Sequence, residues 1–349
     1  MGLSPENEFV LRVLRSHSGR GQMRIEESLP LLDWTKVVSV AKAQDLFPIF
    51  YHVLSHQGLL EVIPPSPREE IEEGYLESTA STLCYDDLLK EILPSFHRGG
   101  LPFVILKGPS MALEFYHPRE TRPYRDLDLL IKTADFEQAR NLLSGLDFRV
   151  TDPDRETHRR RYFNSVGFFR KRASDVHLDL HWETLMISWN RRPFLSSSKV
   201  WEEIRWLEYS GMELPVLQPQ TLIPYLCIHF AFHHQFGKLL TLCDLDLAIQ
   251  KFGREVDWEE IVWQSREMMI RKPVHHSLML AASLLETEVP GSVLRALGKG
   301  QIGGKLFPLN YLIFREKPLN TNVERLAKFV LIDGLPGKIQ SLVTFYRQR

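Results

Sequence analysis

The chain has 349 residues, 44% of them hydrophobic, and its 43 basic residues nearly balance 44 acidic ones. This length exceeds that of one comfortable compact unit, so we expect two or three domains or lobes with sizeable cores. The balanced charge provides no overall field that would gather nucleic acid or an anionic membrane.

Cysteine usage and apolar runs bear on the compartment. Cys84, Cys227 and Cys243 form no C-x-x-C pair, which indicates neither a disulfide framework nor a cysteine zinc site. The first residues lack the apolar run of a signal peptide, and no later apolar run is long enough to span a bilayer. We therefore expect a soluble cytoplasmic protein with no membrane partner.

The first part of the chain predicts a helical lobe over residues 1–97. Residues 8–58 carry apolar side chains at three- and four-residue steps, and Asp33 is the expected N-cap of the second helix. The run Pro64-Pro65-Ser66-Pro67 should precede a Glu-rich helix from about Arg68 to Phe96.

Residues 98–190 predict a mixed unit of strands and helices. The stretch from Leu101 to Leu106 is almost wholly apolar and leads into Lys107-Gly108-Pro109, which indicates a buried strand that turns into a helix. Further strands are predicted at 126–131, 148–151, 163–171 and 175–183, and a helix at 134–143.

Residues 191–349 predict a second helical lobe, because helical spacing returns beyond Trp189. Helices are expected at 221–236, 238–252 and 272–285, with another one capped by Asp257. We interpret Trp189, Trp201 and Trp206 as core or lobe contacts, because the basic residues around them are mixed with acids.

Asp126 and Asp128 stand one residue apart at the start of an apolar strand. Residues i and i+2 of a strand share a face, so both carboxylates point one way. Two such carboxylates next to a phosphate-cradling turn are typical of a Mg²⁺ site that holds a nucleoside triphosphate. Asp179, on the polar face of the strand at 175–183, is our candidate for a third carboxylate that binds a second metal or accepts a proton.

Plainer interpretations compete with this one. Either aspartate of an Asp-x-Asp pair serves equally well to cap a helix or anchor a turn, and a polar face is also typical of a solvated edge strand. Lys107 also fits a surface lysine. Zinc is a further alternative, held by His177, Asp179 and His181 or by the pair His229 and His233.

The ordered set of motifs resembles the uncharacterised nucleotidyltransferase family of the DNA polymerase β-like superfamily. The matching residues are Leu106-Lys107-Gly108, Ala112-Leu113, Tyr116, Arg122-Pro123, Asp126-Leu127-Asp128-Leu129-Leu130 and Asp179-Leu180-His181-Trp182. His229, His233 and Asp244 look like the equivalents of residues that follow this core in the family.

The resemblance implies an α+β fold, with a small mixed β-sheet nucleotidyltransferase core between N-terminal and C-terminal helical lobes. It implies a Mg²⁺-dependent, or Mn²⁺-dependent, enzyme that moves a nucleoside monophosphate from a triphosphate such as ATP to a hydroxyl or phosphate and releases pyrophosphate. The acceptor is open: a small molecule, a peptide, a protein or RNA.

The resemblance also implies roles for single residues. Asp126, Asp128 and Asp179 are then the metal ligands and the catalytic carboxylates, and Lys107, Gly108, Ser110 and Arg122 contact the phosphates. Pro109 departs from the superfamily pattern, which usually places serine directly after glycine. Arg122 has a plainer alternative, an ion pair with an aspartate.

Two other functions remain open. The same scaffold suits a non-catalytic nucleotide-binding or adaptor protein, as a partner in a toxin–antitoxin pair or in peptide or polysaccharide biosynthesis. The same site also suits transfer of the γ-phosphoryl group, since both reactions need metal, phosphates and an aligned acceptor.

Overall fold

A computed structural model describes residues 3–21, 31–162, 164–172, 175–182, 197–299, 313–314, 329 and 331–333. These residues divide into two compact units: Met1–Thr79, Glu120–Arg122 and Leu226–Asp333 belong to the first, and Ala80–Arg119 and Pro123–Tyr225 to the second. The three-part division at residues 97 and 190 stays a prediction.

Thirteen helices account for most of the described chain. They are α1 Pro5–His17, α2 Trp34–Ala43, α3 Phe47–His56, α4 Pro65–Arg98, α5 Pro109–Phe115, α6 Phe136–Gly145, α7 Glu156–Tyr162, α8 Ser197–Glu202, α9 Pro219–Ile228, α10 Leu239–Phe252, α11 Trp258–Glu267, α12 Arg271–Leu284 and α13 Gly291–Gly298. Within the described ranges, none of them has the length and apolar character needed to cross a membrane.

Two predicted helix caps are confirmed. The Asp33 carboxylate accepts a hydrogen bond from the backbone N–H of Lys36 at the start of α2. Asp257 accepts from the backbone N–H groups of Glu259 and Glu260 at the start of α11. Each cap satisfies N–H groups that the first helical turn leaves without partners.

The second unit contains a seven-stranded mixed sheet, and the predicted α+β fold is confirmed. Its strands are β1 Phe103–Ile105, β2 Leu127–Ile131, β3 Arg149–Val150, β4 Ser165–Arg170, β5 Val176–His181, β6 Arg205–Tyr209 and β7 Met212–Val216. The order across the sheet is β3-β4-β5-β2-β1-β7-β6. β2 pairs in parallel with β5, β1 pairs in parallel with β7, and the other pairings are antiparallel.

The helical interpretation of the chain beyond Trp189 is wrong over residues 205–216, which form the hairpin of β6 and β7. The backbone reverses at Ser210 and Gly211, which both adopt positive φ angles of 50° and 77°, as a tight hairpin turn requires. Trp206 of β6 is 51% exposed. Trp189 lies outside the described residues.

The hydrophobic core of the second unit lies on one face of the sheet. Leu127, Leu129 and Ile131 of β2 are fully buried there, and Leu178 and Leu180 of β5 extend the same layer. Residues of α4 and α6 cover these side chains, and each buried side chain contributes roughly 1.5–3 kcal/mol. Because strand side chains alternate, Asp128 and Asp179 lie on the opposite face.

Gly74 of α4 provides a test of packing in the first unit. A Cβ atom at this position would lie 1.9 Å from Cδ2 of Phe47, at the start of α3. We expect Gly74→Ala to lower the free energy of unfolding by about 1–3 kcal/mol, because the Phe47 ring must move within a packed core. Thermal and urea denaturation measure this change.

Gly145→Ala is the matched control, since a Cβ at the end of α6 would meet nothing within 4 Å. Its stability should equal or slightly exceed that of the wild type. Equal losses in both variants would contradict the packing argument.

Candidate functional site

Lys107 is held beside Asp128 by the pairing of β1 with β2. The backbone N–H of Leu106 donates to the carbonyl oxygen of Asp128 over 3.0 Å, directly after β1. Nζ of Lys107 then lies 2.6 Å from Oδ2 of Asp128 and 3.5 Å from Oδ2 of Asp126. One ammonium group therefore contacts both carboxylates.

Asp128 is a buried carboxylate with a partner at each oxygen. Its side chain is 4% exposed, and its Oδ1 lies 2.9 Å from Nε2 of His181. Burial raises the pKa of Asp128, but the charge of Lys107 and the hydrogen bond from His181 lower it more, so the net pKa is below the usual range. Asp128 is therefore charged at neutral pH.

Lys107 shows the complementary shift. Burial lowers the pKa of its ammonium group. Attraction to Asp128 and Asp126 raises this pKa by more than burial lowers it, so the net pKa is above the usual range. The buried pair is thus fully ionic, and removal of either charge would leave the other one uncompensated.

Asp179 stands opposite Asp128 on the neighbouring parallel strand, in the register Asp128 to Asp179. Asp128, Asp179 and His181 each place one possible metal-ligating atom within 4.8 Å of the other two. The net pKa of Asp179 is above its usual range: burial is the largest cause and repulsion from Asp128 and Asp126 adds to it, while attraction to His181 and Lys107 opposes it. Negative charge on Asp179 is therefore unfavourable unless a further cation offsets it.

Gly167 of β4 makes room for the Asp179 carboxylate. It pairs with Asp179 in the β4–β5 ladder. A Cβ atom here would lie 3.2 Å from Oδ1 of Asp179 and 3.1 Å from Oγ1 of Thr151. Any other residue would push against the carboxylate, so glycine allows Asp179 its observed position.

Asp126 lies just before β2, and its side chain is 43% exposed. The segment that leads to it is anchored to α4: the Tyr85 hydroxyl donates to the carbonyl of Arg125, and the Tyr124 hydroxyl donates to Oδ1 of Asp86 over 2.7 Å. Asp126 thus combines a fixed backbone with a carboxylate that is open to solvent.

The turn after Lys107 has a special backbone conformation. Gly108 adopts a φ of 66° directly before α5, a conformation that side-chain-bearing residues rarely adopt. Ser110 is fully buried, and its hydroxyl has no hydrogen-bond partner among the described residues. Phosphate contacts of Gly108 and Ser110 stay predictions.

Arg122 pairs with an aspartate, as the plainer alternative predicted, and that aspartate is Asp244 of α10. Nε of Arg122 donates to Oδ1 over 3.1 Å and a terminal nitrogen donates to Oδ2 over 2.7 Å. Both side chains belong to the first unit and are nearly buried. The predicted phosphate contact of Arg122 is untested.

Two further groups interact with the carboxylates, and their roles are not predicted from the sequence. The sequence presents His181 as a possible zinc ligand and as part of a family motif, but it does not predict that the His181 ring contacts Asp128. Tyr225 of α9 is buried, and burial together with the charge of Asp128 raises the pKa of its phenol. The alternation of β5 put His181 on the face of Asp179, but only the pairing of β5 with β2 connects it to Asp128.

The model of a protein family described as an uncharacterised nucleotidyltransferase matches residues 30–286. None of the curated proteins matches this chain.

The Arg122–Asp244 pair gives a stability prediction. Arg122→Met leaves the Asp244 carboxylate buried without its bidentate partner, so we expect a loss of about 3–5 kcal/mol in the free energy of unfolding. Chemical denaturation measures it.

Lys42→Met is the control, because the Lys42–Glu70 pair is exposed, at 67% and 45% for the two side chains. Its loss should stay below about 1 kcal/mol. If Arg122→Met lowered the free energy of unfolding no more than Lys42→Met does, the buried pair would not stabilise the fold more than an exposed pair.

Proposed function

The chain belongs to the uncharacterised nucleotidyltransferase family, and from that membership we propose a metal-dependent transfer of nucleoside monophosphate. The donor is a nucleoside triphosphate, the acceptor is a hydroxyl or phosphate group, and pyrophosphate is released. The observation that carries the proposal is the register that sets Asp128 opposite Asp179, with Asp126 at the same ammonium group.

The donor atoms of this site suit Mg²⁺ or Mn²⁺. Both are hard cations that prefer carboxylate oxygens, and Asp126, Asp128 and Asp179 supply three carboxylates. Lys107 offsets only one of the three negative charges, so the site favours a divalent cation. Burial is the main reason that the pKa of Asp179 is raised, and repulsion from Asp128 and Asp126 adds to it.

When bound, the metal would polarise the triphosphate and offset charge that develops during transfer. The protein's own groups would position the reactants. Lys107 would exchange its carboxylate contacts for phosphate oxygens, and Gly108, which has a positive φ and no side chain, would let the backbone approach these oxygens. Asp126, the most exposed of the three at 43%, would be the carboxylate most accessible to an arriving substrate.

Removal of a carboxylate tests this proposal. We expect Asp128→Asn and Asp179→Asn each to lower the rate of pyrophosphate release at least about 100-fold, because charge stabilisation of the transition state is lost. The assay mixes purified protein with Mg²⁺ and four triphosphates labelled at the α-phosphate, with the protein itself as one acceptor.

Asp87→Asn is the matched control, since Asp87 is an exposed aspartate of α4 that pairs with Lys90. It should keep the wild-type rate. In a parallel assay with triphosphates labelled at the γ-phosphate, transfer of the γ-label to an acceptor without transfer of the α-label would indicate phosphoryl transfer. A well-folded protein that is silent with all four triphosphates would favour the adaptor.

Lys107→Met gives a second test, which needs no acceptor. Because the Lys107 ammonium occupies Oδ2 of Asp128, its removal should free this oxygen and strengthen Mn²⁺ binding in the absence of nucleotide. Electron paramagnetic resonance of Mn²⁺ measures the affinity, and the thermal shift on adding Mn²⁺ should be larger than in the wild type.

Lys90→Met, at an exposed position of α4, should leave both measurements unchanged. Weaker Mn²⁺ binding in Lys107→Met would contradict the idea that lysine and metal compete for Asp128.

A further inference from the structure

The chain makes one π-helical turn where α9 ends. Residues His229–His233 form this turn, and it closes with a hydrogen bond from the backbone N–H of His234 to the carbonyl of His229, over 3.3 Å. In an α-helix, residue i+5 lies roughly 140° around the axis from residue i. The wider π turn brings residue i+5 back towards residue i, and such turns are often found at functional sites.

The π turn gathers three imidazole rings. The rings of His229 and His233 stack with centroids 4.8 Å apart and an interplanar angle of 12°. His234 stands edge-on to both, at 4.8 Å from each and at angles of 81° and 84°. One ring nitrogen from each histidine lies within 4.8 Å of the other two.

We propose that His229, His233 and His234 form a binding site for a transition metal ion such as Zn²⁺ or Co²⁺. Imidazole nitrogens suit these borderline metals, whereas Mg²⁺ prefers oxygen ligands. This site shares no residue with the carboxylates of the second unit, and the proposal holds whether or not the chain transfers nucleotides.

The surroundings of the rings suit a site with one open position. His229 is 8% exposed, His234 is partly buried and His233 is exposed. Three histidines with a water as fourth ligand are a known tetrahedral zinc arrangement, with Zn–N distances of about 2.0–2.1 Å. The three nitrogens lie within 4.8 Å of one another, so such a centre would require them to move closer together.

Another pair of histidines offers an internal comparison. His52 and His56 of α3 have the same i, i+4 spacing as His229 and His233, but they sit on a regular α-helix with ring centroids 6.0 Å apart. The residue at i+5 is Gln57 rather than a third histidine. The pair His52 and His56 therefore shares the i, i+4 spacing of the proposed site, but it lacks the π turn and the third histidine ring.

The test uses full-length protein stripped of metal, titrated with Zn²⁺ by calorimetry and with Co²⁺ by absorption in the visible range. With excess Mg²⁺ present to occupy the carboxylates of the second unit, we expect one equivalent of Zn²⁺ and a Co²⁺ spectrum typical of tetrahedral nitrogen ligands. His233→Gln and His234→Gln should each weaken Zn²⁺ binding at least about tenfold, while His56→Gln and Asp87→Asn keep the wild-type affinity.

Circular dichroism in the absence of metal checks that each variant is folded, and the exposure of His233 favours a tolerated substitution. Absence of Zn²⁺ binding would overturn the proposal. So would an affinity that His233→Gln and His234→Gln leave unchanged, or one that His56→Gln lowers equally.

Discussion

The buried negative charge of Asp128 is the constraint on which the centre of the sheet depends. A carboxylate with 4% exposure would cost several kcal/mol without partners. Lys107, carried by the turn after β1, and His181, at the end of β5, supply a partner for each oxygen. Three neighbouring strands must therefore keep their register for this single group to remain charged.

The same arrangement leaves the sheet with more negative charge than its own cations offset. Asp179 has a raised pKa, and Gly167 offers it space but no charge. Groups that disfavour the ligand-free state in this way are common where a protein binds ions, because stability is exchanged for affinity.

Local patterns predicted the local features well. The alternation of β5 and the caps at Asp33 and Asp257 depend on neighbouring residues, so the sequence carries their signal directly. Contacts between residues distant in sequence could not be predicted in this way. Examples are the hydrogen bonds from Arg122 to Asp244 and the pairing of β7 with β1. The π turn after α9 could not be predicted either, because the residues there have ordinary helical spacing. The extra residue in the turn depends on the tertiary structure around it.

β1 has only three residues, Phe103–Ile105, and lies between β2 and β7. Its partner β7 comes from much later in the chain, and Ile105 meets Val216 there. During synthesis, one edge of β1 stays open until residue 216 has emerged, which makes this pairing a slow, long-range step of folding. A fragment that ends at residue 190 would retain all three carboxylates, yet expose an apolar strand edge prone to aggregation.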